Sequence, residues 1–254
     1  RRSIRAIENG SDYQIVYIDT PGIHKPVNAL SDRLNEFAYN ALHGVDIIVA
    51  VFDARDGIGT GDAFVCERIK NHPCVIAVLN KCDTLKKFEK AAQEASKLNE
   101  LLPNAKAIIP ISAFTKKNVQ ILKKEILSNM TFGQALFATD SEHDMSDEFI
   151  VGEILREQLL WRLRAEIPQS LAVVATEFDS TKKDQRNFDV KIIVRQKSHK
   201  PIIIGRAGSM LETVGQKARE KIEVFLGCKV FIKSKVVIDD NWQDKPESLD
   251  KYIF

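Results

Sequence analysis

Apolar runs that end on polar or glycine-bearing motifs restrict the fold of the first half of this 254-residue sequence. The run 47–52 is apolar throughout, which is typical of a strand buried on both faces of a parallel sheet covered by helices. Gly10 indicates a hairpin between the first two strands. Strand patterns occur at 3–8, 13–19, 46–53, 74–80 and 107–112, with helical patterns at about 28–42, 60–71, 85–100 and 118–128. Residues 1–128 are therefore predicted to form a doubly wound α/β domain.

A different order of elements begins at residue 147. Helix, strand, strand, short element, helix and strand follow one another, which is an α+β pattern. We predict a helix at 147–165 ahead of Pro168, strands at 170–178 and 187–196, a short element at 200–204, a helix that stops at Gly227 and a last strand up to Ile238. Residues 129–146 are predicted to be a linker, and residues 147–254 a second domain with an acidic C-terminal tail.

Charge is unevenly distributed along the chain. Residues 191–235 contain 11 Lys or Arg and three Glu, which suits a polyanionic partner, although a solvated surface is the alternative. With 44% apolar and 28% charged residues, the composition is that of a soluble globular protein. No apolar run approaches the roughly 20 residues that cross a bilayer. The four cysteines form no CxxC pair, so we expect reduced thiols in a cytoplasmic protein.

The first polar motif, Asp19-Thr20-Pro21-Gly22, closes the strand pattern at 13–19. A carboxylate at Asp19 can hold a Mg²⁺-bound water at the carboxyl end of that strand. A glycine at position 22 lets a backbone N–H approach a terminal phosphate. Taken alone, the motif also fits an ordinary Pro-Gly turn.

The second motif, Asn80-Lys81-Cys82-Asp83, is more specific. Asp83 can accept hydrogen bonds from the N1–H and the 2-amino group of guanine, whereas adenine offers neither donor. Asn80 is expected to fix the loop and contact the base edge, and the stem of Lys81 to cover a ring face. A surface loop in which Asp83 caps a helix is the alternative.

A third strand pattern ends on Ser112-Ala113, which can offer a backbone N–H to guanine O6. This dipeptide says nothing by itself. The three motifs nevertheless follow one another in a fixed order, 61 residues separating Asp19 from Asn80 and 32 separating Asn80 from Ser112. Together they predict a GTP-binding site.

Position 23 bears on hydrolysis. In Ras-like enzymes the residue after the DxxG glycine is a Gln that orients the attacking water. Here it is Ile23, which cannot orient water through its side chain. We therefore expect slow unaided hydrolysis and include Ile23 only among the GTP-binding positions.

A loop bounded by two glycines, Gly205-Arg206-Ala207-Gly208, lies within residues 191–235, which we call the basic block. Two glycines let the backbone pack against sugar-phosphate, and the helix that follows favours anions at its N-terminus. The GxxG pattern is common by chance, so its value comes from the basic residues around it. We predict single-stranded RNA binding by this loop together with Lys200, Lys233 and Lys235.

The ordered motifs resemble the Era family of bacterial GTPases over essentially the whole chain. The resemblance rests on DTPG at 19–22, NKCD at 80–83, SA at 112–113, FIVGEILREQLL at 149–160, IIIGRAG at 202–208 and the tail from Lys235 to Trp242. It implies a Ras-like P-loop NTPase domain followed by a KH domain of the second topological type. It also implies GTP or GDP with Mg²⁺, GTP hydrolysis, and binding near the 3′ end of small-subunit ribosomal RNA during maturation of that subunit. We expect a cytoplasmic monomer, and the resemblance leaves peripheral association with the inner membrane open.

One part of the family pattern does not occur in residues 1–254: the Walker A sequence GxxxxGK[ST]. The resemblance places it, with the switch threonine, upstream of residue 1, and places the strand before it between the strands at 13–19 and 46–53. Those two strands should then present unpaired edges, and residues 1–254 alone are expected not to hydrolyse GTP. Two alternatives remain: a nucleotide-independent KH protein with a degenerate G domain, and a double-G-domain ribosome-assembly GTPase with a KH-like tail.

Overall fold

Two compact units make up the chain in the computed structural model, which describes residues 4–23, 29–85, 88–163, 167, 170–179, 182 and 184–253. The first unit comprises the described residues of 7–25 and 34–142. The second comprises those of 1–6, 26–33 and 143–254. No helix in these described ranges is both long and apolar enough to cross a membrane.

A three-stranded parallel sheet forms the centre of the first unit, in the order β3-β4-β5. Apolar side chains at 75–79 are almost fully buried in the central strand β4, so burial on both faces is confirmed there. The same prediction for the run 47–52 is wrong: β3 is an edge strand of this sheet, and Val51 is 61% exposed. One face packs on Cys66, Leu98 and Leu102. The other face packs on Ile15 and Ile126. The elements of this sheet are β3 (Ile48–Asp53), α2 (Thr60–Ile69), β4 (Val75–Asn80), α3 (Phe88–Leu101), β5 (Ala107–Pro110) and α4 (Val119–Ser128).

The first two strands form a separate sheet. β1 (Ile4–Asn9) and β2 (Gln14–Asp19) pair with each other, and α1 (Ala29–Leu42) follows them. The predicted hairpin is present: the Gly10 N–H donates to the Tyr13 carbonyl at 2.8 Å. A Cβ at position 10 would lie 2.2 Å from the Tyr13 ring, so any other residue there would displace that ring. β2 and β3 lie in different sheets, in agreement with the expected gap between these two strands.

The second unit packs helices on one face of a three-stranded sheet. Its strands are ordered β6-β7-β8, with β6 antiparallel to β7 and β7 parallel to β8. Leu155 and Leu159 of α5 and Val214 and Ile222 of α7 are fully buried in one cluster with the sheet. The elements are α5 (Asp147–Leu160), β6 (Leu171–Phe178), β7 (Gln185–Val194), α6 (His199–Ile204), α7 (Ser209–Leu226), β8 (Lys229–Ile238) and α8 (Pro246–Tyr252).

Two predicted boundaries in this unit need correction. The helix predicted to reach residue 165 ends at Leu160, because the Arg162 N–H donates to the Leu159 carbonyl and closes a tighter turn. The strand predicted at 187–196 lies at 185–194, since its pairing with β8 already begins at Gln185. The short element before the GxxG loop is a helix. The predicted stop at Gly227 is confirmed, with φ at +65°.

Candidate functional site

Asn80 joins the two loops that follow β4 and β5. Its side-chain oxygen accepts hydrogen bonds from the backbone N–H groups of Lys81 at 2.8 Å and Ala113 at 3.0 Å. Both loops lie at the carboxyl edge of the parallel sheet, because β4 and β5 run side by side in the same direction. The Asn80 side chain therefore helps to fix the two loops against each other.

The loop after β4 is also held by its own backbone. Lys81 has a left-handed conformation with φ at +65°, and residues 82–84 form one 3-10 turn. The Thr84 hydroxyl donates to the Lys81 carbonyl at 2.7 Å, and the Cys82 N–H donates to the Ile111 carbonyl at 3.1 Å. Asp83 lies in this turn and is exposed. Its carboxylate is consequently presented to solvent by a fixed segment.

The loop after β5 is anchored by the fully buried Ser112. Its hydroxyl accepts the Thr115 N–H at 3.0 Å, and its own N–H donates to the Lys117 carbonyl at 3.1 Å. Ala113 is exposed, but its N–H is bound to Asn80. Use of that N–H for guanine O6, which the sequence predicts, requires the Asn80 oxygen to release or share it.

Asp53 is a residue at this edge that the sequence reasoning missed. The Lys81 ammonium lies 2.5 Å from its carboxylate, and the Arg55 N–H donates to the same group at 2.9 Å. The hydrogen bond from Lys81, with a smaller contribution from Arg55, lowers the pKa of the Asp53 carboxyl below its ordinary value. The signal was present, because Asp53 ends an apolar strand in the same way as Asn80 and Ser112.

Replacement of Asp53 by Asn should weaken guanine-nucleotide binding by about two- to fivefold. The Lys81 side chain then loses the ion pair that orders it, and an exposed ion pair contributes only modestly to the free energy. The measurement is a fluorescence titration with a labelled GDP, using a chain extended upstream by the Walker A segment. Asp56→Asn, which neutralises an exposed neighbouring carboxylate, is the matched control. Equal affinity of both variants and the wild type would show that the pair does not order Lys81 for binding.

The DTPG segment lies at the end of β2, in the other sheet. Asp19, Thr20 and Gly22 are exposed, and Pro21 and Ile23 are half-buried. The described residues contain no group of three or more His, Cys, Asp or Glu side chains arranged to hold a metal ion. A single exposed carboxylate at a strand end fits a Mg²⁺ ion that takes its other ligands from water and nucleotide phosphates.

The GxxG loop is a sharply turned segment between α6 and α7. Gly205 has φ at +76°, and a Cβ there would lie 2.6 Å from the Met210 Cβ. Ala207 and Gly208 are left-handed as well, with φ at +51° and +84°. Arg206 and Ala207 are exposed, and α7 begins directly afterwards. The loop thus presents two accessible residues at the N-terminus of an 18-residue helix.

The structure divides the remaining predicted RNA contacts between two surfaces. Lys200 lies in α6, next to the GxxG loop and on the face of the sheet that α5 and α7 cover. Lys233 and Lys235 alternate along β8 with Val230 and Val236, which belong to the buried cluster. Their side chains therefore point to the opposite face of the sheet. The structure does not bring them to the GxxG loop.

Family models match both halves of the chain. The model described as the Elongation factor Tu GTP binding domain covers residues 3–169. A second model, described as a KH domain, covers residues 166–243. These matches confirm the predicted sequence of a G domain followed by a KH domain.

Several known proteins are similar along nearly the whole chain. GTPase Era from Clostridium botulinum strains Kyoto and Okra is 36% identical over 250 residues, which is 98% of this chain and 84% of each relative. The crystal structure of an Aquifex aeolicus Era variant bound to GDP·AlF4⁻ has a TM-score of 0.94 at 29% identity. Era in complex with MgGDPNP and nucleotides 1506–1542 of 16S ribosomal RNA has a TM-score of 0.95 at 28% identity. Each structural match covers 100% of this chain and 86% of the other. The chain belongs to the Era family of GTPases.

Proposed function

We propose that the protein binds and hydrolyses GTP and binds single-stranded small-subunit ribosomal RNA near its 3′ end, acting in maturation of that subunit. The observation that carries the guanine site is the pair of hydrogen bonds that Asn80 accepts from Lys81 and Ala113. They fix the two loops beside an exposed Asp83 carboxylate. A relative solved with MgGDPNP and a 16S ribosomal RNA segment supports both ligands.

At the nucleotide site, the described residues have distinct tasks. Asp83 accepts hydrogen bonds from the guanine edge, and the Lys81 stem covers the ring while its ammonium pairs with Asp53. Asp19 would hold a bound Mg²⁺ ion through a water, and that ion would neutralise charge at the phosphates. Gly22 leaves room for backbone close to the terminal phosphate. Ile23 has no group that orients the attacking water, so other groups must do so.

The residue ranges of the proposed domains follow the sequence pattern. We propose a G domain at 1–128, a linker at 129–146 and a KH domain with its tail at 147–254. Hydrolysis in this proposal depends on Walker A residues outside this range, so residues 1–254 alone should turn over little GTP. The protein is proposed to be a cytoplasmic monomer, and only the family resemblance supports peripheral association with the inner membrane.

In RNA binding, the GxxG loop clamps the backbone, and the lysines of β8 add positive charge on the opposite face of the sheet. Replacing Lys233 and Lys235 by Gln should weaken binding by a similar factor for every RNA sequence and should reduce the salt dependence of binding. Both side chains are exposed, and the Lys235 amine lies 3.2 Å from Asp189, so part of its charge is already paired. The salt slope should therefore fall by less than two phosphate equivalents.

The measurement is a salt titration of binding to a single-stranded RNA that ends in the small-subunit 3′ sequence, with a scrambled RNA beside it. Lys217→Gln with Lys221→Gln is the matched control, because both lysines are exposed on α7. A preference for the natural sequence that survives in the β8 variant supports the proposal. Equal binding of both RNAs by the wild type contradicts a sequence-reading KH domain.

A further inference from the structure

The sheet of the second unit has a face that points away from α5 and α7, which we call the outer sheet face. Strand pairing arranges its side chains in rows across the three strands. Because successive side chains alternate, neighbouring rows on this face are about 7 Å apart. The rows that span all three strands are Phe178-Asn187-Phe231, Thr176-Asp189-Lys233, Val174-Lys191-Lys235 and Ala172-Ile193-Val237. We call the end with Phe178 and Phe231 the open end; beyond it, Gln185 pairs with Lys229.

Two aromatic rings are exposed at the open end of this face. Phe178 is 41% exposed and Phe231 is 49% exposed, whereas Ala172 and Ile193 at the other end are buried. Asn187 separates the two rings on the central strand and is itself hydrogen-bonded, donating to the Asp179 carbonyl at 3.1 Å. The rings are therefore two isolated aromatic surfaces with a polar residue between them, and not parts of one apolar patch.

Lysines occupy the next two rows. Lys191, Lys233 and Lys235 are all exposed on this face. Its one carboxylate within the four rows, Asp189, lies 3.2 Å from the Lys235 amine, and its other oxygen is buried and accepts no hydrogen bond from the described residues. The charges of Asp189 and Lys235 offset each other, and the positive charges of Lys191 and Lys233 remain on this face. The rows beside the rings are consequently positive.

Exposed rings on strands with lysines beside them match the way in which sheets bind single-stranded nucleic acid. Bases stack on the aromatic faces, and the cations neutralise the backbone. We propose that the outer sheet face is a second single-stranded RNA surface, on which bases stack on Phe178 and Phe231 while Lys191, Lys233 and Lys235 contact phosphates. This inference rests on the proposed function, since it assigns further nucleotides of the same RNA to the opposite side of the sheet from the GxxG loop.

The test compares two lengths of RNA on the 254-residue chain. An oligonucleotide of about four nucleotides fits one GxxG loop, and a single strand of about 16 nucleotides can also reach the outer sheet face. Phe178→Leu and Phe231→Leu keep apolar bulk and remove the aromatic face. Each should lower affinity for the longer RNA about tenfold, which corresponds to about 1.4 kcal/mol of lost stacking. Affinity for the shorter RNA should not change.

Trp161→Leu is the matched control, because Trp161 is 77% exposed but lies at the end of α5. It should bind both RNAs as the wild type does. Wild-type affinity for the longer RNA in both phenylalanine variants would overturn the proposal. Failure of the wild type to bind even the shorter RNA would instead contradict the proposed function itself.

A second readout does not depend on the Leu variants folding. Phe231→Trp places an indole on the outer sheet face, and its added fluorescence should be quenched by the longer RNA and not by the shorter one. No quenching would overturn the proposal. Equal quenching by anionic lipid vesicles without RNA would overturn it as well, because the surface would then be one for general polyanions.

Discussion

Asp83→Asn is expected to lower GTP affinity by about 10²–10⁴-fold and to raise affinity for xanthosine triphosphate. The carboxylate accepts two hydrogen bonds from guanine, and each bond to a charged group contributes about 1.5–3 kcal/mol. An amide places an N–H against the guanine donors and matches the 2-oxo group of xanthine instead. The measurement is competition of both triphosphates for a labelled GDP, in a chain extended upstream by the Walker A segment.

The structure indicates that Asp83→Asn leaves the conformation of the loop unchanged. Hydrogen bonds of Lys81, Cys82 and Thr84 hold the turn, so the loop does not depend on the charge of Asp83. Asp56→Asn is the control for loss of a nearby negative charge. Unchanged GTP affinity in the Asp83 variant would contradict the guanine assignment. Absence of GTP binding by the unsubstituted extended chain would instead favour a nucleotide-independent RNA-binding protein with a degenerate G domain.

The parallel sheet could be predicted from the sequence because a buried strand appears as an unbroken run of apolar residues. A strand covered on both faces is apolar at every position, and the run at 75–79 is buried as expected. The same pattern predicted that Asn80 and Ser112 each end a strand. It did not predict which atoms meet there, because the Ala113 N–H bond to Asn80 depends on the geometry of two loops that are 33 residues apart.

The pairing of Asp53 with Lys81 lay beyond sequence reasoning for a related reason. Twenty-eight residues separate the two, and only the register of β3 with β4 puts Asp53 opposite Asn80. A left-handed Lys81 then turns the lysine toward that carboxylate. Neither the register nor the handedness follows from residue type, since lysine has no preference for a positive φ.

For the basic block 191–235, the count of charges was correct, but the prediction that they form one surface was wrong. Counting charges over 191–235 treats one stretch of chain as one surface. Alternation along β8 sends Lys233 and Lys235 to one face, while the helices that flank the GxxG loop cover the other. The sequence also does not reveal that Phe178 and Phe231 lie in one row of the sheet, because that arrangement arises from the pairing of each with Asn187.

Replacing Arg206 and Ala207 by two Asp residues should reduce affinity for single-stranded RNA by roughly 100-fold. The change removes a cation and places two carboxylates where phosphates pass. Loss of one charge-assisted hydrogen bond costs about 1.5–3 kcal/mol, and like-charge contact adds to it. The fold should persist, because Arg206 and Ala207 are exposed and aspartate tolerates the left-handed conformation at position 207.

Gln216→Asp with Lys217→Asp is the matched control for this variant. It introduces the same change of charge at two adjacent exposed residues of α7, about two turns after the loop. The control should lose far less affinity than the loop variant in the same titration, with thermal unfolding recorded for both proteins. Equal losses would mean that the loop acts only through the overall field of the domain, and RNA binding at full strength by the loop variant would rule out backbone clamping at GxxG. A large loss confined to the loop variant would place the phosphate backbone against Arg206 and Ala207, because only contact at that turn distinguishes the two proteins.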